Sequence, residues 1–348
     1  MFDYYRLIGP VMRRIDPETA HGLAIVALKS HLVPPSCCRD EPILACRVFD
    51  RDFPNPIGLG AGFDKNAEVP DAMLGQGFGF VEVGTVTPRP QSGNPRPRMF
   101  RLPEDEAAIN RMGFNNEGME AMAGRLAKRR RQGIVGVNIG KNKDSIDAAA
   151  DYEACVARLA PLADYMVINV SSPNTPGLRA LQEKESLLAI TSRSRAAMPP
   201  NPPPLLLKIA PDLAKEDLTD IAEVALKGGV DGIIVSNTTI TRPPTLKSSY
   251  AAEIGGLSGK PVFEMSNLVL EEMFRLVGGR LPLIGVGGVS SGRDAYRKIR
   301  AGASLVQLYT ALIYKGPPLV NRIKRDLAEL LRRDGFHSVA EAVGADHR

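Results

Sequence analysis

The chain has 348 residues, 44% hydrophobic and 24% charged, with a formal net charge of +5 and four cysteines. That length suits one large core with an appendage, or two modest domains. The mild positive charge fits phosphate-bearing ligands or an anionic membrane surface without marking a nucleic-acid binder, and no C-x-x-C pair occurs, which excludes the usual zinc, iron–sulfur and disulfide frameworks.

The first 40 or so residues carry two amphipathic helical stretches, split at Asp16-Pro17-Glu18, where Asp16 reads as an N-cap and Pro17 as the first helical residue. Leu7, Ile8, Val11, Met12 and Ile15 share one face, flanked by Arg6, Arg13 and Arg14. Pattern alone leaves two readings: a hairpin plugging the bottom of the core, or a helix pair lying on a membrane with its arginines toward anionic lipid. The apolar run 22–28 is too short to span a bilayer. VPPSCCRDEP then reads as a linker.

Eight short apolar runs follow, at 57–63, 80–86, 134–139, 165–170, 205–209, 232–235, 283–286 and 304–308. The stretches between them, such as YEACVARLAPLA and SGRDAYRKIRAG, repeat apolar residues at i, i+3 and i+4, the helical period. Runs of four to seven apolar residues suit strands buried on both faces of a parallel sheet. Eight strand-then-helix units predict an α/β fold, a (β/α)8 TIM barrel with an N-terminal α-helical extension. A doubly wound sheet fits less well, because GLGAGFDK lacks the glycine spacing of a dinucleotide fingerprint.

A barrel gathers function where its strands end. The run ends read GFDKN, GTVTPR, NIGKN, NVSSPNT, KIAPD, SNTT, GVGGVSSG and YTAL, rich in Lys, Asn, Ser, Thr and Gly, whereas the run starts are not. The glycines of IGVGGVSSG, after the seventh run, read as an anion nest completed by Tyr309 and Thr310. Lys208 closes a run that should be buried and needs an anion or electron-rich partner; Lys65 raises the same question after the first run. Glu82 also reads as buried, with no evident role. Asn110, Asn138, Asn169, Asn174 and Asn237 gather at or beyond strand ends, where converging amides suit a flat polar ligand. The four histidines show no metal spacing and none reads as catalytic; RLAKRRRQ reads as a solvated helix face, and the tail after Arg332 as a loose terminus.

The segments DPETAHG (16–22), NPIGLGAGFDKN (55–66), VEVGTVTPRPQSGNPRPRMFRL (81–102), INRMGFNN (109–116), NIGKNK (138–143), INVSSPNTPGLR (168–179), KIAPD (208–212), SNTT (236–239), GGLSGKP (255–261), IGVGGVSS (284–291) and QLYTAL (307–312) run in order through nearly the whole chain. With them the chain resembles the class 2, quinone-dependent and membrane-associated dihydroorotate dehydrogenases. The resemblance implies a barrel holding FMN, in which dihydroorotate is oxidised to orotate, a step of pyrimidine biosynthesis, and the electrons pass to ubiquinone or menaquinone. It implies FMN contacts from Ala61, Gly62, Lys65, Thr85, Asn138, Asn169, Lys208, Ser236, Gly259, Gly288, Tyr309 and Thr310. Ser236 stands where relatives often have Thr, which keeps the hydroxyl. It implies that orotate is held by Lys65, Asn110, Arg111, Met112, Gly113, Phe114, Asn169, Asn174, Asn237 and Thr238.

The same resemblance makes Ser172 the general base for the C5 proton, a choice that strand parity alone leaves open between Ser171 and Ser172. Pro173 and Pro176 bias Ser172 and Thr175 toward extended backbone, and Thr175 is expected to help relay the proton beside Lys65. The resemblance further implies that residues 1–40 form a membrane and quinone-tunnel segment ahead of an FMN barrel at 41–348, with no metal, nucleic acid or protein partner required. The expected location is the cytoplasmic face of a bacterial inner membrane, with the mitochondrial inner membrane as the alternative, since no transit peptide precedes the first helix. The soluble class, which uses a cysteine base, fits less well: Cys155 lies in a helical stretch.

Overall fold

A computed structural model describes residues 5–348; residues 1–4, part of the expected membrane segment, lie outside the described residues. The strands are β1 (Cys46–Val48), β2 (Arg51–Phe53), β3 (Ile57–Leu59), β4 (Phe80–Val86), β5 (Met99–Leu102), β6 (Ala107–Asn110), β7 (Ile134–Ile139), β8 (Tyr165–Asn169), β9 (Leu205–Ile209), β10 (Gly232–Val235), β11 (Gly256–Gly259), β12 (Leu283–Val286) and β13 (Ala303–Leu308). Eight of them close a parallel barrel in the order β3-β4-β7-β8-β9-β10-β12-β13. Every apolar run named above supplies one stave. The first stops at Leu59, because the chain then turns inward across the mouth: Gly60 N donates to Leu308 O and Gly62 N to Gly84 O.

Two sheets carry no run of their own. The β1–β2 hairpin closes the bottom, where Val48 and Phe53 pack with Phe80, Tyr165, Val167, Leu206, Ile234, Ile284 and Leu305. This excludes the N-terminal helices as the bottom plug. The strands β5, β6 and β11 form an antiparallel sheet over Phe100, Leu102, Ala107, Ile109, Leu257 and Val262. They are inserted after the C-terminal ends of β4 and β10, so they raise a wall beside the barrel mouth.

Of the N-terminal helices, α1 (Tyr5–Met12) packs on the helix Ala311–Lys315 and α2 (Pro17–Lys29) leans on β5 of that wall. Asp16 caps α2 as its sequence implied, accepting from Thr19 N at 2.9 Å. Glu18 receives a forked pair from Arg98 at 2.9 and 3.0 Å, Arg101 donates to the carbonyls of Arg13 and Ile15, and Tyr5 OH donates to Ile313 O. The outer faces leave Leu7 70%, Ile8 50%, Val11 58%, Leu23 48% and Val26 58% exposed, a concentration of apolar surface that a monomer in water rarely carries. No helix among the described residues is long and apolar enough to cross a membrane. The tail is not loose: Val339 and Ala342 are buried, His347 lies against the Phe274 ring, and Arg300 pairs with Asp346.

Candidate active site at the barrel mouth

A cavity of about 370 Å³ opens between the strand ends, the β5–β6–β11 wall and α2, within the range of small-ligand sites. Its floor is a chain of amides. Gly84, at φ 102°, sits where the β4–β7 register shifts, and a Cβ there would lie 2.3 Å from Asn138 O. Only glycine allows that approach, which brings Thr85 into register with the amides. Thr85 Oγ1 donates to Asn138 Oδ1 at 2.5 Å, and Asn169 Nδ2 donates to Thr85 Oγ1 at 2.9 Å. Asn237 Nδ2 donates to Asn169 Oδ1 at 3.2 Å and to Ser171 Oγ at 3.0 Å.

Beneath this floor lies Glu82, fully buried. Its carboxylate accepts from Asn138 Nδ2 at 2.8 Å and Gln307 Nε2 at 2.7 Å, and lies 3.7 Å from Lys208 Nζ. Glu82 is therefore the counter-charge that the buried Lys208 required, and its amide contacts fix the floor. Replacing Lys208 by alanine leaves an uncompensated buried carboxylate and is expected to cost about 3–5 kcal/mol of stability. The double variant Glu82→Gln with Lys208→Met should recover most of that; an unchanged urea midpoint for Lys208→Ala would contradict the account.

The serine-rich loop after β8 forms one side. Ser172 faces the cavity, its Oγ accepting from Asn174 N at 3.3 Å, and Asn174 Nδ2 donates to Asn110 Oδ1 at 3.1 Å. Arg179 ties the loop down: it donates to Ser171 O at 3.2 Å and Thr238 O at 2.9 Å, and pairs with Asp212 at 2.9 Å. Thr175 Oγ1 is buried with no hydrogen-bond partner among the described residues. Opposite, Lys65 Nζ donates to Gly62 O at 2.8 Å; burial, reinforced by Arg98, pulls its pKa down to about 8.

At the far end, Gly287 (φ 113°) and Gly288 (φ 72°) follow β12. A Cβ on Gly288 would meet Phe263 Cβ at 2.5 Å, so the turn needs glycine to lie this close to the preceding helix, Phe263–Val277. The result is a run of backbone at 287–290 facing the cavity. Tyr309 stands edge-on to Phe63, its phenol pushed up to about 12 by burial, and Thr310 Oγ1 donates to Ser258 Oγ at 2.9 Å.

The residues singled out in the sequence thus converge, with three lying off the wall. Ala61, Gly62, Lys65, Thr85, Asn169, Lys208, Ser236, Gly259, Gly288, Tyr309, Thr310, Asn110, Met112, Gly113, Phe114, Ser172, Asn174, Asn237 and Thr238 line the cavity. Asn138 sits just behind it, bonded to Thr85 and Asn169, and Thr175 is buried away from the lining. Arg111 turns away, pairing with Glu253 at 2.6 Å and stacking over Phe100. The α2 face adds Glu18 and His21, and the start of β5 adds Met99 with Arg98 just ahead of it. Reading the histidines for metal spacing missed His21, which packs edge-on to Phe63 at 5.2 Å; burial first, then Lys65, pulls it down to about 4 and keeps it neutral. The available signal was its place at i+3 from Glu18 on one helix face. Among the described residues no cluster of His, Cys, Asp or Glu fits a metal ion.

This donor set suits an elongated ligand: an anionic group at the glycine turn, a polar planar edge over the amides and Lys208, and a small anion between Lys65 and Ser172. A family model described as dihydroorotate dehydrogenase matches residues 43–331. A dihydroorotate dehydrogenase (quinone) from Rhodospirillum rubrum is 62% identical, covering 100% of this chain and 96% of that protein. The mitochondrial dihydroorotate dehydrogenase (quinone) of Mus musculus is 52% identical, covering 99% and 91%. The crystal structure of DHODH from Eimeria tenella in complex with ferulenol superposes with a TM-score of 0.92 at 43% identity, covering 96% of each chain.

Proposed function

Because the chain belongs to the dihydroorotate dehydrogenase family, we propose that Ser172 is the base of its reaction, that its flavin is FMN, and that its N-terminal helices meet the membrane. The activity is that of the quinone-dependent members: dihydroorotate is oxidised to orotate with a quinone as acceptor, in pyrimidine biosynthesis. The family is flavin-dependent.

The observation that carries the residue assignments is the shared cavity: the glycine turn, the amide floor and the Ser172 loop face one space. FMN fits because the 287–289 backbone faces the cavity with donors for a phosphate, while Lys208 and the floor of Thr85 and Asn169, backed by Asn138, offer partners to a heterocycle edge. When bound, the flavin accepts hydride from C6 of dihydroorotate. The chain's own part is to hold the pyrimidine and take the C5 proton. Asn110, Asn174, Asn237 and Thr238 supply donors and acceptors around the ring, and Lys65 pairs with its carboxylate. Ser172, held by the Arg179 tie, takes the proton, with Thr175 Oγ1 as the next group for it.

A visible spectrum tests the whole reading. Dihydroorotate should bleach the flavin band of the purified protein, and a quinone should restore it; a spectrum indifferent to dihydroorotate would overturn it. The Lys65 assignment has its own test. With its pKa at about 8, Lys65 is charged at pH 7 and largely neutral at pH 9. Anionic orotate should therefore bind up to about tenfold more weakly at pH 9, read by the spectral shift on titration; equal affinities would remove Lys65 from the anion site.

Residues 1–40 then form the quinone-tunnel and membrane segment and 41–348 the FMN barrel. The exposed Leu7, Ile8, Val11, Leu23 and Val26 support a peripheral association. We assign it to the cytoplasmic face of a bacterial inner membrane; bacterial and mitochondrial relatives both match.

A further inference from the structure

Lys298, on the helix Gly292–Arg300, is fully buried, and none of the residues discussed so far needs it. Its stem passes beneath β12, where a Cβ on Gly285 would lie 3.1 Å from Lys298 Cδ. Its ammonium donates to Ser266 Oγ and Asn267 Oδ1, both at 2.9 Å. Ser266 Oγ in turn lies 3.2 Å from Gly287 O, on the turn that opens the glycine loop. Ser266 also packs so closely there that a Cβ on Gly287 would meet its Oγ at 2.7 Å. The cation therefore stands one side chain away from the 287–290 backbone.

No carboxylate sits directly against it, although Asp294 and Glu264 favour its charge from a distance. No described residue forms an ion pair with Lys298, and its other partner is the Phe263 ring at 5.3 Å. The charged neighbours are engaged elsewhere. Asp294 accepts from Ser290 N and Oγ at 2.9 and 3.1 Å, and Glu264 is forked onto Arg297 at 2.8 and 2.9 Å. Ser266 and Asn267 lie near the N-terminal end of the helix Phe263–Val277, the positive end of its dipole. Burying a cation beside a positive pole is costly unless an anion completes the site.

Resting on the assignment of the glycine turn as the flavin's phosphate site, we propose that Lys298 is the buried counter-charge of that phosphate, acting through Ser266 and Gly287 to make the pocket select phosphorylated flavin over riboflavin. Lys298 is a positioning and specificity residue; it touches neither the flavin ring nor the substrate. Burial pulls its pKa down to about 7, so about half of the lysines already carry the charge that phosphate requires at pH 7, whereas at pH 9 nearly all must recruit a proton.

The test equilibrates the holoenzyme with excess riboflavin and measures both bound flavins by chromatography, for the wild type and Lys298→Met at pH 7 and 9. The FMN-to-riboflavin preference cancels effects on the shared ring, including those of Lys65. The wild-type preference should fall about tenfold or more from pH 7 to 9. In Lys298→Met it should be about tenfold or more below wild type at pH 7, and flat with pH. A merely structural lysine would weaken both flavins together and leave the ratio unchanged. A wild-type preference flat with pH, or a variant ratio within about twofold of wild type at pH 7, overturns the proposal. If the variant does not fold, the wild-type pH profile decides alone. If neither flavin binds, the flavin-site reading itself has failed, and this inference with it.

Discussion

Replacing Ser172 by alanine is expected to slow reduction of the bound flavin by dihydroorotate roughly 10²–10⁴-fold, the usual contribution of a well-placed general base. FMN should stay bound, because Ser172 belongs to the loop after β8 and not to the glycine turn or the amide floor. A serine hydroxyl is a weak base near neutral pH, so its environment must supply the assistance. Here that means Lys65 on the same cavity, Thr175 Oγ1, which has no partner among the described residues, and a loop held by Arg179 on Ser171 O, Thr238 O and Asp212. A fixed hydroxyl lowers the entropic part of the barrier. Thr175→Ala should therefore be slower than wild type but faster than Ser172→Ala. Stopped-flow traces of Ser172→Ala close to those of the wild type would remove Ser172 from its role.

Removal of residues 1–40 is expected to abolish quinone turnover and to release the protein from membranes. That truncation also removes Glu18 from Arg98 and strips the α2 side of the cavity, so a surface variant separates the causes. Leu7→Asp with Val11→Asp touches only residues that point outward, 70% and 58% exposed. Each such side chain contributes roughly 1.5–3 kcal/mol when it leaves water for hydrocarbon, and a charge reverses the sign. The double variant should lose vesicle binding and at least about tenfold in turnover with a membrane quinone. Flavin reduction by dihydroorotate should stay near wild type. Full retention on vesicles would end the membrane assignment of α1.

The eight staves were legible because a parallel strand covered on both faces is a continuous apolar run, and such runs are conspicuous between helical stretches. The polar bias of their C-terminal ends also pointed to the mouth. The β1–β2 hairpin was not legible: CRV and RDF are short and interrupted by charges. The β5–β6–β11 wall escaped for a related reason. Its strands are antiparallel and only β5 and β6 are neighbours in sequence, so β11 has no local signal apart from two glycine-bounded residues, Leu257 and Ser258. Glu82 looked anomalous until Lys208, Asn138 and Gln307 arrived from three other strands.

By itself, then, the sequence determined the barrel, the end of it that works, the Asp16 cap and the roster of polar groups at the mouth, since each of these is written in local periodicity or in the residue types that close a run. Tertiary structure alone decided which of those groups meet, which face away as Arg111 does, and which buried charges are compensated. Those outcomes depend on distances between residues far apart in the chain. A buried ion such as Lys208 or Lys298 can be judged only when everything packed around it is known.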